Sequence, residues 1–274
     1  MQLTRVFFSE YNIFHDSDSN KPFVFESVNI MDNNINNPNT PSIQPEQKKN
    51  TPNIESKLRH NIVRMPEEIR KVSGIVIWGR RIKSLVFTTD IAIIRNCDAD
   101  AVLAVYPFTP QQAISSCIIQ SAYIPVFCGV GGSLTKGIRS ITMAKDAEAL
   151  GAMGVVVNAA VSNVNLAAIA ATVDIPVVVT VVSPDTDISA RLNAGASILN
   201  VSAAAQTPAL VRSIRERFPD VPIIATGGPT ADSVSQTVAA GANAISITPP
   251  STKELFSVIM KNYREPDGSE QGAK

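Results

Sequence analysis

The stretch that decides the fold is residues 219–252, PDVPIIATGGPTADSVSQTVAAGANAISITPPST. It predicts two consecutive strand–loop–helix units, in which an apolar strand ends at a Gly-Gly pair, a helix follows, and a Gly-Ala turn leads into a second apolar strand. Strands that are apolar throughout, rather than alternately apolar and polar, are covered on both faces, which is typical of a parallel sheet. The stretch therefore predicts an α/β fold whose strands run parallel.

The same unit recurs upstream, marked by two signals that alternate along the chain. One is a proline that opens an apolar run, because proline has no N–H and suits the start of a strand. The other is a glycine that ends a helix in the left-handed conformation before the next strand. The signals fall at Pro125, Gly151, Pro176, Gly195, Pro222 and Gly241. Intervals of roughly 20–26 residues indicate a repeated βα unit.

Counting outward from these signals predicts eight strands. They are placed at Ser84–Thr88, Ala101–Tyr106, Val126–Cys128, Gly154–Val157, Val177–Val182, Ser197–Val201, Ile223–Ala225 and Ala244–Thr248. Eight parallel strands that alternate with helices are typical of a (β/α)8 TIM barrel, here a single barrel over residues 65–264. An open doubly wound sheet is the alternative. Residues 73–82 are expected to form a small hairpin that closes the bottom of the barrel, or else a lead-in loop.

The two ends of the chain differ in composition from the barrel. Residues 32–53 are rich in Asn, Pro and Gln, and such a segment cannot bury enough apolar surface to offset its ordering entropy. We therefore expect a poorly structured N-terminal extension over residues 1–60 and a disordered tail over residues 265–274.

Composition bounds the function. The chain has 274 residues and a formal net charge of zero, so we expect no nucleic-acid or membrane partner. No apolar run approaches the ~20 residues that span a bilayer, no signal sequence is evident, and three unpaired cysteines suit a reducing compartment, so a cytoplasmic location is expected. Both histidines, His15 and His60, fall in the extension. The barrel mouth therefore lacks imidazole unless the extension folds over it, and we expect metal-independent chemistry without a cofactor.

Gly227 and Gly228 provide the strongest site signal, because function in such barrels sits in the loops that follow the strands. Their backbone N–H groups could bind a phosphate or carboxylate; the alternative is a tight turn in which glycine serves only the backbone angle. The predicted phosphate-binding set is Thr226, Gly227, Gly228, Ser251 and Thr252. Two prolines weaken the second half of this set, since Pro249 and Pro250 carry no N–H.

Charged and polar residues at other strand ends supply catalytic candidates. Asp90 is predicted as a general base, with a helix N-cap as the alternative. Lys136, in the glycine-rich loop 129–136, is predicted as an electrophile on a substrate lid, or else as a solvated lysine. Asp185 is a further acid–base candidate, with capping as its alternative. Asn158 and Ser202 are predicted ligand contacts.

The chain also resembles two groups of known barrels. The segment IIATGGPTADSVSQTVAAGANAISITPPS is similar to the phosphate-binding end of the ribulose-phosphate-binding class of barrels. That resemblance implies a phosphate role for Gly227 and Gly228 only, since the glutamate and Schiff-base lysine of the aldolases and the histidines of the metal-dependent epimerases have no counterpart. From Met65 to Arg264, stretches such as AVYPFTPQ, IPVFCGVGG and NVSAAA resemble an uncharacterised bacterial barrel family that bears only the label "hydrolase".

The sequence thus predicts a barrel enzyme that acts on a small anionic metabolite, phosphorylated or carboxylated, by hydrolase or lyase/isomerase chemistry. A non-catalytic ligand-binding or regulatory barrel is the alternative. Alanine-rich stretches on the predicted helices leave a homo-oligomer open as well.

Overall fold

A computed structural model describes residues 62–264, together with Pro52 and Ile54. The predictions made for the N-terminal extension, with its two histidines, and for the C-terminal tail lie outside the described residues. None of the helices between residues 62 and 264 combines the length and the hydrophobicity that crossing a bilayer requires.

Eight parallel strands close into a barrel, which confirms the predicted (β/α)8 fold and excludes the open sheet. After a hairpin of β1 (Ile75–Ile77) and β2 (Arg80–Ile82), the barrel strands are β3 (Ser84–Phe87), β4 (Ala101–Ala104), β5 (Val126–Gly131), β6 (Gly154–Val157), β7 (Val177–Val181), β8 (Ile198–Val201), β9 (Ile223–Thr226) and β10 (Ala244–Ile247). Each strand pairs with the next along the chain, and β10 pairs with β3 to close the ring.

Helices follow the strands on the outside of the barrel. They are α1 (Ile91–Arg95), α2 (Gln112–Ser121), α3 (Ile138–Ala149), α4 (Asn163–Ala170), α5 (Ile188–Asn193), α6 (Thr207–Arg217), α7 (Ala231–Ala239) and α8 (Thr252–Arg264), with short 3-10 turns at Glu67–Lys71 and Ala204–Gln206. The predicted helix-ending glycines Gly151, Gly195 and Gly241 all have φ between 94° and 99°, which confirms their role.

The strands are apolar throughout because both of their faces are buried. Outward-facing residues such as Val86 pack with the helices, while inward-facing residues such as Leu85 and Phe127 fill the barrel. Gly154 makes room for this filling, since a Cβ there would lie 2.7 Å from Cδ1 of the Phe127 ring. The interior is thus a packed core, and any ligand site lies at its end.

The predicted hairpin is present and closes one end of the barrel. Ile75 pairs with Ile82 in an antiparallel register, and the turn is formed by Trp78 and Gly79. Buried Ile75, Ile77 and Ile82 belong to the same cluster as the inward-facing residues of the barrel, including Ala101 and Ala244 at the first positions of β4 and β10. The hairpin therefore fills the end where the strands begin and leaves the opposite end for a site.

Candidate functional site

The last inward-facing positions of the strands form a ring that is polar on one side. On four consecutive strands, β7 to β10, a polar residue lies two positions after an inward-facing core residue, and strand alternation places it inside the barrel. These residues are Thr180, Asn200, Thr226 and Ser246. We call them the polar half-ring. The same alternation places Phe87, Val105 and Gly129 inside on β3, β4 and β5, so the opposite side of the mouth is apolar.

A cavity of about 220 Å³ opens at the carboxyl ends of β4 to β7. It is lined by Val105, Tyr106, Pro107, Phe108, Thr109, Pro110, Gly129, Gly131, Ser133, Leu134, Thr135, Val156, Asn158 and Thr180. Thr180 connects the cavity to the polar half-ring. Among the described residues, no charged side chain lines this cavity.

The loop over residues 131–137 is held against the next strand end and forms one wall of the cavity. The Gly132 N–H donates to the carbonyl of Thr135 at 2.8 Å, and the Asn158 side chain donates to Ser133 Oγ at 3.2 Å. Gly131 has φ of 100°, and a Cβ there would lie 2.8 Å from the Thr135 carbonyl oxygen. The glycines therefore make a tight, hydrogen-bonded turn, which disfavours the predicted lid.

Lys136 and Asn158 lie at this end of the barrel, as predicted. Lys136 is exposed and follows Thr135, a cavity residue. Within residues 62–264, no carboxylate forms an ion pair with it, since the ion pair found there joins Arg70 to Glu67. Asn158 lines the cavity, and its Oδ1 accepts from the Ala160 N–H at 3.2 Å. Lys136 is thus a cation that adjoins the cavity wall in sequence but is not itself one of the lining residues.

Arg191 of α5 braces the loop that carries Asn158, a role that the sequence did not reveal. Its guanidinium donates to the carbonyls of Ala159 and Val161 and to Oδ1 of Asn163. The partners lie about 30 residues away in sequence, so no local pattern marked this role. Arg191 is a positioning residue for the cavity wall.

The Gly227 N–H is hydrogen-bonded within the sheet. Its N–H donates to the carbonyl of Ser246 at 3.0 Å, and a Cβ at Gly227 would lie 2.7 Å from side-chain atoms of both Ile245 and Ile247. This geometry favours the alternative interpretation, a glycine required by packing at the strand-to-helix turn. Gly228 has φ of 79° and is exposed in that turn. Neither glycine lines the cavity.

The two predicted anion donors of α8 are also engaged. The N–H and the hydroxyl of Ser251 both donate to Oε2 of Glu254 at 2.7 Å, and the Thr252 hydroxyl donates to Asp90. These hydrogen bonds lower the pKa of the Glu254 carboxyl, which stays ionised and would repel a phosphate. Together with the two N–H groups missing at Pro249 and Pro250, these hydrogen bonds disfavour the predicted phosphate site at the ends of β9 and β10, which stays a prediction.

Asp90 serves as the N-cap of α1, the alternative considered from the sequence. Its Oδ1 accepts from the N–H groups of Ala92 at 2.8 Å and Ile93 at 3.3 Å, while its Oδ2 accepts from Thr252. The Thr252 hydroxyl, and then the helix amides, hold the pKa of the Asp90 carboxyl below its usual value. A carboxylate stabilised in this way is a weaker base, so the geometry favours a structural role.

The remaining candidates lie apart from one another. Asp185 is exposed and accepts from Ser183 Oγ at 3.0 Å, within the loop that leads into α5. Ser202 is half-buried after β8, where its N–H donates to the carbonyl of Val181 at 2.9 Å. Cys128 faces the helices, and burial raises the pKa of its thiol to about 11, which makes it a core residue.

Asn200 of β8 was not among the predicted site residues, yet it is the most unusual group at the mouth. Its side chain is 8% exposed, and its Nδ2 donates to Thr180 Oγ1 at 3.4 Å. Among the described residues, Asn200 Oδ1 is the one buried side-chain polar atom without a hydrogen-bond partner. An asparagine inside an otherwise apolar strand was the signal that could have identified it.

Comparison with known proteins identifies the fold but does not identify a family. No protein-family model matches the chain, and no curated protein matches it. Solved structures with a similar fold include phosphoenolpyruvate phosphomutase from Streptomyces platensis subsp. rosaceus, with 14% identity over 66% of this chain and 80% of that chain and a TM-score of 0.51. Another is 2,3-dimethylmalate lyase, a PEP mutase/isocitrate lyase superfamily member, with 13% identity, coverages of 76% and 86%, and a TM-score of 0.53.

A third structure is phosphonopyruvate hydrolase in complex with oxalate and Mg²⁺, with 13% identity, coverages of 76% and 90%, and a TM-score of 0.52. Identities this low show the fold alone. They confirm a TIM barrel and show no finer family, so the expected resemblance to ribulose-phosphate-binding barrels gains no support from them.

That neighbour holds Mg²⁺, so the shared fold by itself does not support our expectation of metal-independent chemistry. The described residues of this chain, however, do not fit a similar ion. In the described part of the chain, no group of three or more His, Cys, Asp or Glu side chains converges. Both oxygens of Asp90 are engaged, and Asp185 is exposed in a separate loop. The described residues thus offer no set of ligands on which a metal-assisted step could be built.

Proposed function

We propose that this protein is an enzyme of the lyase or hydrolase type that acts on a small carboxylate-bearing metabolite. The observation that carries the proposal is the cavity of about 220 Å³ at the carboxyl ends of the strands, beside the polar half-ring. Active sites of TIM barrels lie at this face. The cavity is smaller than the pockets of about 300–1,000 Å³ that hold drug-sized ligands, so it suits a metabolite of few atoms.

A carboxylate fits this mouth better than a phosphate does. A phosphate dianion needs several amide or cationic donors, and the Gly227 N–H and the hydroxyls of Ser251 and Thr252, which were predicted for that role, are bonded within the protein. A carboxylate carries a single charge, which one cation and neutral hydroxyl donors can balance. Lys136 supplies the cation, and Ser133, Thr135 and Thr180 supply hydroxyls at the cavity wall. The oxalate bound by phosphonopyruvate hydrolase supports the same class of ligand.

The proposed roles follow from position. Lys136 stabilises the negative charge of the substrate, and Asn158 and Ser202 contact its polar groups. A base role for Asp90 and an acid–base role for Asp185 stay predictions, since one caps a helix and the other lies in an exposed loop. Asp90→Asn and Asp185→Asn test them: either variant should lower kcat if the residue transfers a proton, and only stability if it does not.

Titration calorimetry on the full chain tests the ligand class. We expect oxalate, pyruvate and succinate to bind, with and without added Mg²⁺, and glycolaldehyde phosphate not to bind. Lys136→Gln should weaken carboxylate binding about fivefold to tenfold, which corresponds to about 1 kcal/mol for one ion pair near the surface. The exposed Lys145 of α3 gives the control variant Lys145→Gln, which should bind as the parent does. Tight phosphate-ester binding with no effect of Lys136→Gln would contradict the proposal.

A non-catalytic binding barrel is the second candidate, and one observation favours it. In the described part of the chain, the residues that line the cavity include no carboxylate, lysine, arginine, histidine or cysteine, which are the usual acid–base and nucleophilic groups. Proton NMR of the protein with each ligand that binds distinguishes the two candidates. New product signals that grow with protein concentration would establish an enzyme, while unchanged ligand spectra would favour a binding protein.

A further inference from the structure

We infer that Asn200 and Thr180 recognise an uncharged hydroxyl group of the ligand, so that the substrate class is a small hydroxy acid. This inference rests on the proposed function, because the acid part of the ligand comes from there. The observation that carries it is the unsatisfied hydrogen-bonding capacity of the buried Asn200 amide, whose hydrogen-bond partner Thr180 lines the cavity.

The buried amide of Asn200 differs from the other deeply buried asparagine described in the barrel. Asn165 is 7% exposed and has both ends bonded: its Oδ1 accepts from the Gly137 N–H at 2.9 Å, and its Nδ2 donates to Ser140 Oγ at 2.8 Å. Asn200 is 8% exposed, yet it makes one long hydrogen bond and leaves Oδ1 without a donor. An unsatisfied buried polar atom costs free energy, and it marks a place where a group from outside is needed.

Rotation of the Asn200 amide does not supply the missing hydrogen-bond partner. If the amide turned by 180°, the Thr180 hydroxyl could donate to Oδ1, but the NH2 group would then lack an acceptor. Asn200 and Thr180 can therefore satisfy only one end of the amide at a time. A hydroxyl group both donates and accepts, so a ligand hydroxyl placed beside Thr180, at the unpaired end of the Asn200 amide, completes the hydrogen bonds of that amide in either of its orientations. A carboxylate accepts only, and an apolar group does neither.

The neighbourhood favours an uncharged group at this position. Thr180 lines the cavity, and none of the described residues that line it carries a charge. The half-ring continues from Asn200 to Thr226 and Ser246 on β9 and β10, whose side chains are also neutral. A second carboxylate here would be desolvated without a cation, which is costly. The acidic end of the ligand therefore lies toward Lys136, and its hydroxyl lies toward Asn200.

Calorimetry with ligand pairs that differ by one hydroxyl tests the inference on the full chain. The pairs are malate with succinate, and lactate with propionate. We expect the hydroxylated member to bind about threefold to tenfold more tightly, the range for one neutral hydrogen bond. Asn200→Leu and Thr180→Val should each reduce that ratio to about one. Thr172→Val, at the end of α4 where Thr172 Oγ1 donates to the Ala168 carbonyl, is the control and should keep the full ratio.

The outcomes separate the two proposals. If succinate and malate bind equally to the parent protein, the hydroxyl inference is overturned while the carboxylate proposal stands. If neither acid of either pair binds, both are overturned. If the ratio survives in both Asn200→Leu and Thr180→Val, with circular dichroism showing that the variants are folded, the assignment of these two residues is wrong.

Discussion

Replacing Asn200 by leucine should stabilise the folded protein, although a buried residue in the central barrel is changed. Leucine has the same branching and the same number of side-chain heavy atoms as asparagine, and it has no polar atoms. The substitution removes a buried acceptor without a partner, whose burial costs about 1–3 kcal/mol, and it loses one long hydrogen bond to Thr180 worth about 0.5 kcal/mol. We therefore expect the free energy of unfolding to rise by about 1 kcal/mol, or the Tm by about 2–4 °C for a domain of this size.

The matched control is the same substitution at Asn165. Its burial is nearly identical, but both ends of its amide are bonded, so leucine there strands the N–H of Gly137 and removes the hydrogen bond to the hydroxyl of Ser140, which still donates to the Gly137 carbonyl. We expect Asn165→Leu to lower the free energy of unfolding by about 2–4 kcal/mol. Urea unfolding followed by circular dichroism measures both values, provided that the transition is two-state.

The two variants should thus shift the urea midpoint in opposite directions. If Asn200→Leu lowers the free energy of unfolding by as much as Asn165→Leu does, the Asn200 amide is fully bonded in the folded protein. Asn200 would then have no capacity left to bind a ligand hydroxyl. A gain in stability that accompanies a loss of ligand discrimination is the pattern expected of a residue retained for binding.

Other contacts in the barrel lead to three more predictions. Arg215 donates to three backbone carbonyls and one amide oxygen around the starts of β9 and β10, so Arg215→Met should lower the free energy of unfolding by about 3 kcal/mol in urea, and Arg215→Lys by less. The pKa of the Asp90 carboxyl is lowered in the folded state, so the ionised carboxylate stabilises the fold above its unfolded pKa, and this stabilisation is lost as pH falls through the folded pKa. In thermal melts, the parent should therefore lose more stability than Asp90→Asn between about pH 5 and 3. Gly227→Ala should lower the free energy of unfolding by about 1–3 kcal/mol through crowding against Ile245 and leave carboxylate affinity unchanged. A selective loss of affinity would show that the glycine does bind the ligand.

The barrel followed from local signals in the sequence. Proline before an apolar run and glycine after a helix act within a few residues of where they stand, so their alternation from Pro125 to Gly241 located strands and helix ends without any knowledge of the tertiary structure. The hairpin near Trp78 followed from the same kind of signal. Several strand ends were misplaced, as at β5, which continues past Cys128 to Gly131, because side-chain pattern does not determine where the ladder of hydrogen bonds stops.

The site depended on contacts between residues far apart in the chain. Whether the Gly227 amide is free was decided by the carbonyl of Ser246 on the next strand, and whether Thr252 can donate to a ligand was decided by Asp90, 162 residues away. Asn200 and Thr180 become neighbours only because β7 pairs with β8 in a register that places them side by side. The sequence by itself determined the βα repeat, because its signals are local. Tertiary structure alone decided which polar groups remain for a ligand, because hydrogen-bond partners are chosen across the barrel.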